Sequence, residues 1–185
     1  MAHTVIRRLS DLPFKVMGPQ PAFDPEDLEK FVREARIAVL SYARKDGRPC
    51  QVPIWYEYRE GTFYLSTMDT AAKVHALRRN PRVCLTIQDE RPPYRAVVID
   101  ADVELKPHEH GDPTEGLATR YFGRVAGNLY KSMAAEESTK SGSKELTIVA
   151  HPTEVRGFDN TRAINKATLA FVRLRNRLPI PTSWL

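Results

Sequence analysis

Apolar and polar positions alternate most plainly between Val52 and Arg79, in the run VPIWYEYREGTFYLSTMDTAAKVHALRR. Val52, Ile54, Tyr56 and Tyr58 interleave with Pro53, Trp55, Glu57 and Arg59, the period of two expected of a strand with one buried face. Glu60-Gly61 predicts a tight turn, because glycine accepts the positive φ that short hairpin loops require. Thr62–Thr67 is then the partner strand. Asp69 or Thr70 stands where a helix cap is needed, ahead of a helix beginning near Ala71. Asn80-Pro81 ends that helix, since proline disfavours helical geometry in its predecessor.

The same pattern extends to both sides. Asp24-Pro25-Glu26 opens a helix whose apolar face is Leu28, Phe31, Val32 and Ala35, running to about Arg36. Ile37–Ala43 is an apolar strand, and Lys45-Asp46-Gly47 turns it back into an antiparallel strand over Cys50–Tyr58. Arg82–Gln88 and Tyr94–Leu105 read as strands around a loop at Asp89–Pro93. A loop at His108–Pro113 leads into a helical stretch from Thr114 to Met133, interrupted by Gly123 and Gly127. Ala134–Ser143 is polar and expected to be mobile. Glu145–His151 and Glu154–Phe158 are closing strands joined across Pro152. Beyond them Ile164, Ala167, Phe171, Leu174 and Leu178 recur at helical spacing, with Lys166, Arg173 and Arg177 off that stripe.

This succession divides into an N-terminal arm (1–23), one body (24–160) and a basic amphipathic helix with tail (161–185). Short strands joined by hairpins predict a mainly β fold with peripheral helices, either a barrel or a sandwich. No internal repeat is evident.

Charge changes the picture only at the C-terminal end. The net charge is +5, from 28 Lys and Arg against 23 Asp and Glu, yet no acid follows Asp159 while Arg162, Lys166, Arg173, Arg175 and Arg177 do. The excess therefore belongs to the tail, and a general nucleic-acid-binding body is not indicated. A cationic amphipathic helix can lie on a membrane surface, but its stripe is expected to dock on the body or on a second subunit. No apolar run approaches a transmembrane span and the first residues lack a signal-peptide core, which predicts a cytoplasmic protein. Cys50 and Cys84 have no metal-type spacing and read as buried free thiols.

Candidate chemistry centres on Lys73. A lysine in the first turn of a helix opposes the partial positive charge there, unless an anion is held between them. Ser66, Thr67 and Thr70 add hydroxyls at the same corner, so free N–H groups, hydroxyls and an ammonium together suit a phosphate. The competing reading is an ordinary cap with Lys73 turned to solvent. Other motifs carry less. His108-Glu109-His110 is a polar loop short of the further ligands that zinc needs, and no metal site is expected. There is neither a phosphate loop nor a dinucleotide fingerprint, and no acid stands out as a proton donor, so no catalytic residue is assigned.

Taken together, the helix leading into AVLS, the segment GRPCQVPIWY, GTFYLST, the run KVHALRRNPRV and the long strand after PPY resemble the split β-barrel flavin and deazaflavin oxidoreductases, the pyridoxamine 5′-phosphate oxidase-like proteins. The likeness is close over Asp24 to Leu105 and looser beyond. It is nearest the branch that binds coenzyme F420, a deazaflavin; FMN is the alternative cofactor. The resemblance implies a split β-barrel homodimer with cofactor sites at the subunit interface and a small-molecule substrate. It implies that Ser66, Thr67 and Lys73 hold the cofactor phosphate, and that Gln51, Val52, Pro53 and Ile54 line the ring, partly through main-chain groups. It further places Tyr94 and Arg95 against the other subunit's cofactor, and Arg78 and Arg79 near the acidic oligoglutamate tail of F420. Both of the latter are equally readable as a solvated helix face. The activity implied is hydride transfer to an electron-poor double bond or carbonyl, with an FMN-dependent oxidase or reductase, or a cofactor-binding protein without turnover, as alternatives.

Overall fold

The positions that alternation turns inward are the buried ones: Ile54, Tyr56, Tyr58, Phe63 and Leu65 are all below 9 % exposed. They sit in a chain that the computed structural model describes over residues 6–177. The first five residues of the expected arm, Leu178 of the expected stripe and the side chain of Arg177 lie outside the described residues. In order, the elements are β1 (Phe14–Val16), α1 (Pro25–Arg33), β2 (Ala38–Ala43), β3 (Pro49–Ile54), β4 (Glu57–Arg59), β5 (Thr62–Met68), α2 (Ala72–Arg79), β6 (Arg82–Gln88), β7 (Arg95–Pro107), α3 (Leu117–Phe122), α4 (Arg124–Ser141), β8 (Glu145–Asp159) and α5 (Lys166–Arg177).

All eight strands form one sheet in the order β3-β2-β6-β7-β8-β5-β4, with β1 added parallel to β8. The two ends of that path, β3 and β4, are consecutive in the chain and separated only by Trp55 and Tyr56. The sheet therefore closes through a bent backbone and not through a ladder of hydrogen bonds. That is a split barrel. Inside it Phe31, Leu40, Leu65, Leu85, Ile99 and Ile148 are fully buried.

The Glu60-Gly61 turn has φ of 46° and 75°, the paired positive values that match the twist of a two-residue hairpin. The expected strand over Cys50–Tyr58 breaks at Trp55-Tyr56, because its first half pairs with β2 and its second with β5. Across Pro152 the chain does not break: β8 runs for 15 residues and absorbs the proline in a bulge, where Asp100 pairs with Glu154 and Ala101 with Pro152. The threonine left over there, Thr153, donates its hydroxyl to the Asp100 carbonyl at 3.1 Å.

The segment before α1 is tied to the body by a buried polar knot. Leu9 N–H donates to the Tyr58 hydroxyl at 2.6 Å, which donates in turn to the Glu29 carboxylate at 3.0 Å, while Ser10 N–H donates to Glu29 at 3.0 Å. Two expectations on the C-terminal side are corrected. Ala134–Ser143, expected to be mobile, forms the last turns of the 18-residue α4 and the start of the turn after it. Gly127 does not interrupt that helix but lies against α3, where a Cβ would stand 2.6 Å from Thr119 Cα. The stripe of α5 faces outward, with Phe171 68 % and Leu174 59 % exposed. Its end is hydrogen-bonded to the body, through Arg91 donating to the Asn176 carbonyl at 2.7 Å and Asn176 to the Pro92 carbonyl at 2.8 Å. Cys50 and Cys84 are free and half-buried, where full burial was expected.

Candidate functional site

The seam left by the bend at Trp55-Tyr56 is where the chemistry-bearing residues collect. β5 continues past its last pairing with β4, Glu57 opposite Tyr64, so Leu65–Met68 is paired to β8 alone. β3 is likewise paired to β2 alone. Two strand edges with free main-chain groups thus border the seam, an arrangement that accepts an added hydrogen-bonding partner. In β3 the side chains of Val52 and Ile54 turn inward, whereas Gln51 and Pro53 turn out. Gln51 lies across the outer face and donates to the Ser41 hydroxyl at 3.1 Å. Of the four residues expected to line a ring, two therefore present side chains outward and the edge itself presents backbone.

At the far end of β5 the chain turns into α2 without a side-chain cap. The N-cap residue is Ala71, and neither Asp69 nor Thr70 caps, contrary to expectation. Asp69 is used elsewhere: its carboxylate accepts Lys144 N–H at 2.9 Å and its own N–H donates to the Lys144 carbonyl at 2.8 Å. That double bond stitches the turn to the start of β8 and leaves the helix N-terminus uncapped. Lys73 sits in this first turn, half-buried, with no ion pair among the described residues. Burial alone holds its ammonium below the ordinary lysine range. Thr67 is buried and its hydroxyl has no hydrogen-bond partner among the described residues. A half-buried cation with no ion pair among the described residues, in the first turn of a helix that has no side-chain cap, fits an anionic group such as a phosphate, while Thr67, whose hydroxyl is also unmatched among them, turns to the buried face of β5 with Phe63 and Leu65.

Not every expected member joins them. Ser66 and Thr67 are neighbours in a strand and point to opposite faces, and the Ser66 hydroxyl donates to Glu145. Thr70 is exposed at the turn. Arg78 and Arg79 are exposed at the opposite end of α2, where they complement its C-terminus. Tyr94 is half exposed at the start of β7, and its carbonyl accepts Asn160 N–H at 3.1 Å. Arg95 is held firmly: its Nε donates to Asp89 at 2.6 Å and its guanidinium lies 4.6 Å from the Phe31 ring.

The seam also contains residues that the sequence reading did not single out. Tyr121 of α3 accepts Tyr56 N–H at 3.2 Å and donates to the Arg36 carbonyl at 2.6 Å, so one hydroxyl pins the bend. Trp55 stacks on Tyr121 with centroids 5.1 Å apart and meets Phe122 and Tyr130 edgewise or tilted. Arg120 donates to Glu57 at 3.0 Å on the same side. The density of aromatics in YFGRVAGNLY was the available signal, but nothing in its spacing ties it to Trp55. The two loop histidines are occupied locally: His108 contacts the Thr114 hydroxyl at 3.1 Å and His110 the Glu115 carboxylate at 2.8 Å.

Comparison with known proteins agrees with this architecture. Residues 24–159 match the family described as pyridoxamine 5′-phosphate oxidase. A search of the curated proteins finds no match. Among solved structures, a conserved hypothetical protein, Rv2991, from Mycobacterium tuberculosis is similar with a TM-score of 0.62 and 20 % identity, over 81 % of this chain and 97 % of that one. A protein named F420 reductase is similar with a TM-score of 0.54 and 20 % identity, over 69 % and 94 % of the two chains. An FAD-binding protein from Mesorhizobium loti reaches 0.50 at 21 % identity, over 72 % and 90 %. At these identities the likeness is one of fold. The matched span takes in the seam, both free strand edges and the α2 corner, and the chain belongs to the pyridoxamine 5′-phosphate oxidase family.

Proposed function

We propose that this protein is an F420-dependent reductase, working as a homodimer, that acts on a small electron-poor molecule. The observation that carries the reading is the half-buried Lys73, without an ion pair among the described residues, at the uncapped start of α2, which follows closely in the chain on Thr67, whose hydroxyl also lacks a hydrogen-bond partner among them. A cation kept out of water without a partner costs stability unless a ligand uses it. Lys73, Thr67 and the first N–H groups of α2 would hold the coenzyme phosphate. The free edge of β3 from Gln51 to Ile54 would orient the ring through main-chain groups, with Pro53 presenting only its carbonyl. Ser66, turned away and bonded to Glu145, would serve by fixing the strand end. Thr70 borders the mouth. The exposed Arg78 and Arg79 would attract the acidic tail of the coenzyme, and Tyr94 would reach the coenzyme of a second subunit, Arg95 being held by Asp89.

When bound, the deazaflavin supplies a hydride for an electron-poor double bond or carbonyl. The chain's own part is to bind and orient, and to keep the pocket dry with the Trp55 and Tyr121 stack above the seam. The F420 reductase fold and the FAD-binding fold among its relatives both accord with a flavin-type ligand in such a seam.

Titration of purified protein with F420 and with FMN tests the reading. Saturable quenching by F420, weakened about tenfold or more in Lys73→Ala as expected for the loss of a hydrogen bond to a charged group, supports it. Tight FMN binding without F420 binding would move the protein to flavin chemistry. Turnover with a panel of enones and quinones then separates a reductase from a carrier.

A further inference from the structure

At the opposite end of the barrel from the α2 corner lies a cavity of about 590 Å³. The strand registers set the separation. Met68, just before α2, pairs with Glu145 at the start of β8, whereas the cavity takes in Arg95, which pairs with Asp159 at the end of that strand. A strand of 15 residues spans roughly 50 Å of contour, so within one chain the two places are distinct.

Two features of the cavity make it a built site. Its floor is a rigid pair of cations. Arg36 and Arg95 share the Asp89 carboxylate, at 2.5 and 2.6 Å, and both guanidiniums lie over the Phe31 ring, at 4.3 and 4.6 Å. Glu34 pairs the outer side of Arg36 at 2.5 Å. Its rim carries two more arginines, and neither has an ion pair among the described residues. Arg91 is bonded to a neutral carbonyl, and Arg173 projects from α5. Asp89 and Glu90 are the only carboxylates in the lining, against four guanidiniums. The rest of the wall is an apolar patch of Ala35, Ile37, Val39, Pro92 and Pro93, with Ile37 40 % exposed, and the neutral polar residues Gln88, Thr161 and Asn176. An exposed isoleucine facing a rim of unpaired arginines asks for a ligand that is apolar at one end and anionic at the other.

We propose that this cavity binds a small molecule with an apolar body and one carboxylate or phosphate group. The body lies against Ile37, Val39 and Pro93, and the anionic group meets Arg91 and Arg173, the fork geometry of guanidinium suiting either oxyanion. This binding does not depend on the coenzyme reading. Its further consequence rests on that reading: with Tyr94 beside the cavity reaching a second subunit's coenzyme, the bound anion is the reductase substrate, which narrows the substrate class to electron-poor acids.

The test is a fluorescence titration of the full chain with 2-naphthoate and 2-naphthyl phosphate, with neutral 2-naphthamide as the control. Saturable binding of either anion, weakened about tenfold or more in Arg173→Glu and further in Arg91→Glu/Arg173→Glu, is expected from the loss of charged hydrogen bonds. Both arginines are exposed, and circular dichroism of the variants confirms that the fold persists. Lys73→Ala should bind the probes as the wild type does. Equal binding of the amide, indifference to both charge reversals, or displacement of the probe by F420 or FMN would each overturn the proposal. Because the probes are titrated without coenzyme, failure to bind F420 or FMN would sink the coenzyme reading alone.

Discussion

Lys73 shows how a single side chain can be read from both ends. The sequence marks it as a cation in the wrong half of a helix, and the structure adds that it is half-buried and has no ion pair among the described residues. Burial lowers its proton affinity in the folded state, so the unfolded chain binds the proton more firmly and stability rises as pH climbs from the folded value towards the ordinary 10.5. Lys73→Met removes that titration. Thermal unfolding without ligand should find Lys73→Met more stable than the wild type at pH 7, with the gap narrowing as pH nears 10.5. A variant that gains stability while losing coenzyme affinity is the mark of a residue kept for binding. What the expected grouping of hydroxyls overlooks at this scale is that Thr67 loses Ser66 as a companion. Alternation in β5 implies it, but a run of hydroxyls invites the eye to group them.

Elements whose apolar periodicity meets a core were legible: β2, β5, β6 and β7 fall within a residue or two of expectation at most ends, because burial on one face fixes register. The misreadings share a cause, which is long-range pairing. Nothing local in Cys50–Tyr58 announces that its halves join different neighbours, and nothing in Glu145–Phe158 says that a bulge will carry the strand through Pro152. The outward stripe of α5 is the converse case, a pattern read as helical and expected to dock on the body or on a second subunit, of which the body of the same chain does not cover Phe171 and Leu174. The segment at Leu9–Val16 was read as an arm because its anchors, Tyr58 and Glu29, are remote in sequence. Tyr58→Phe leaves Leu9 N–H and one side of Glu29 unmatched in a buried place, and should cost about 1–3 kcal/mol in chemical denaturation. Hydrogen exchange should rise first across residues 9–16, ahead of the barrel strands.

At the scale of the whole molecule, the barrel is held together by a seam that no ladder closes and by a C-terminal strand that serves three neighbours. The seam explains why the candidate coenzyme site was only partly legible. Gln51–Ile54 and Thr67–Lys73 are recognisable singly, but that both border one seam follows from the bend at Trp55-Tyr56, and Tyr121, far along the chain, bonds to that bend. The aromatic face continuing from it, with Phe122, Leu129 and Met133 exposed, has no counterpart in any local sequence rule.

The pairing of β8 with β1, β5 and β7 also sets a timetable. During synthesis the first seven strands leave the ribosome before β8, so β1 has no partner and β5 and β7 each wait with an open side. Folding is consequently deferred until translation has passed Asp159, and nascent chains must be shielded from one another in the meantime. A polypeptide ending at Ser143 should stay unfolded by far-ultraviolet circular dichroism, and adding residues 144–160 as a separate peptide should restore strand signal.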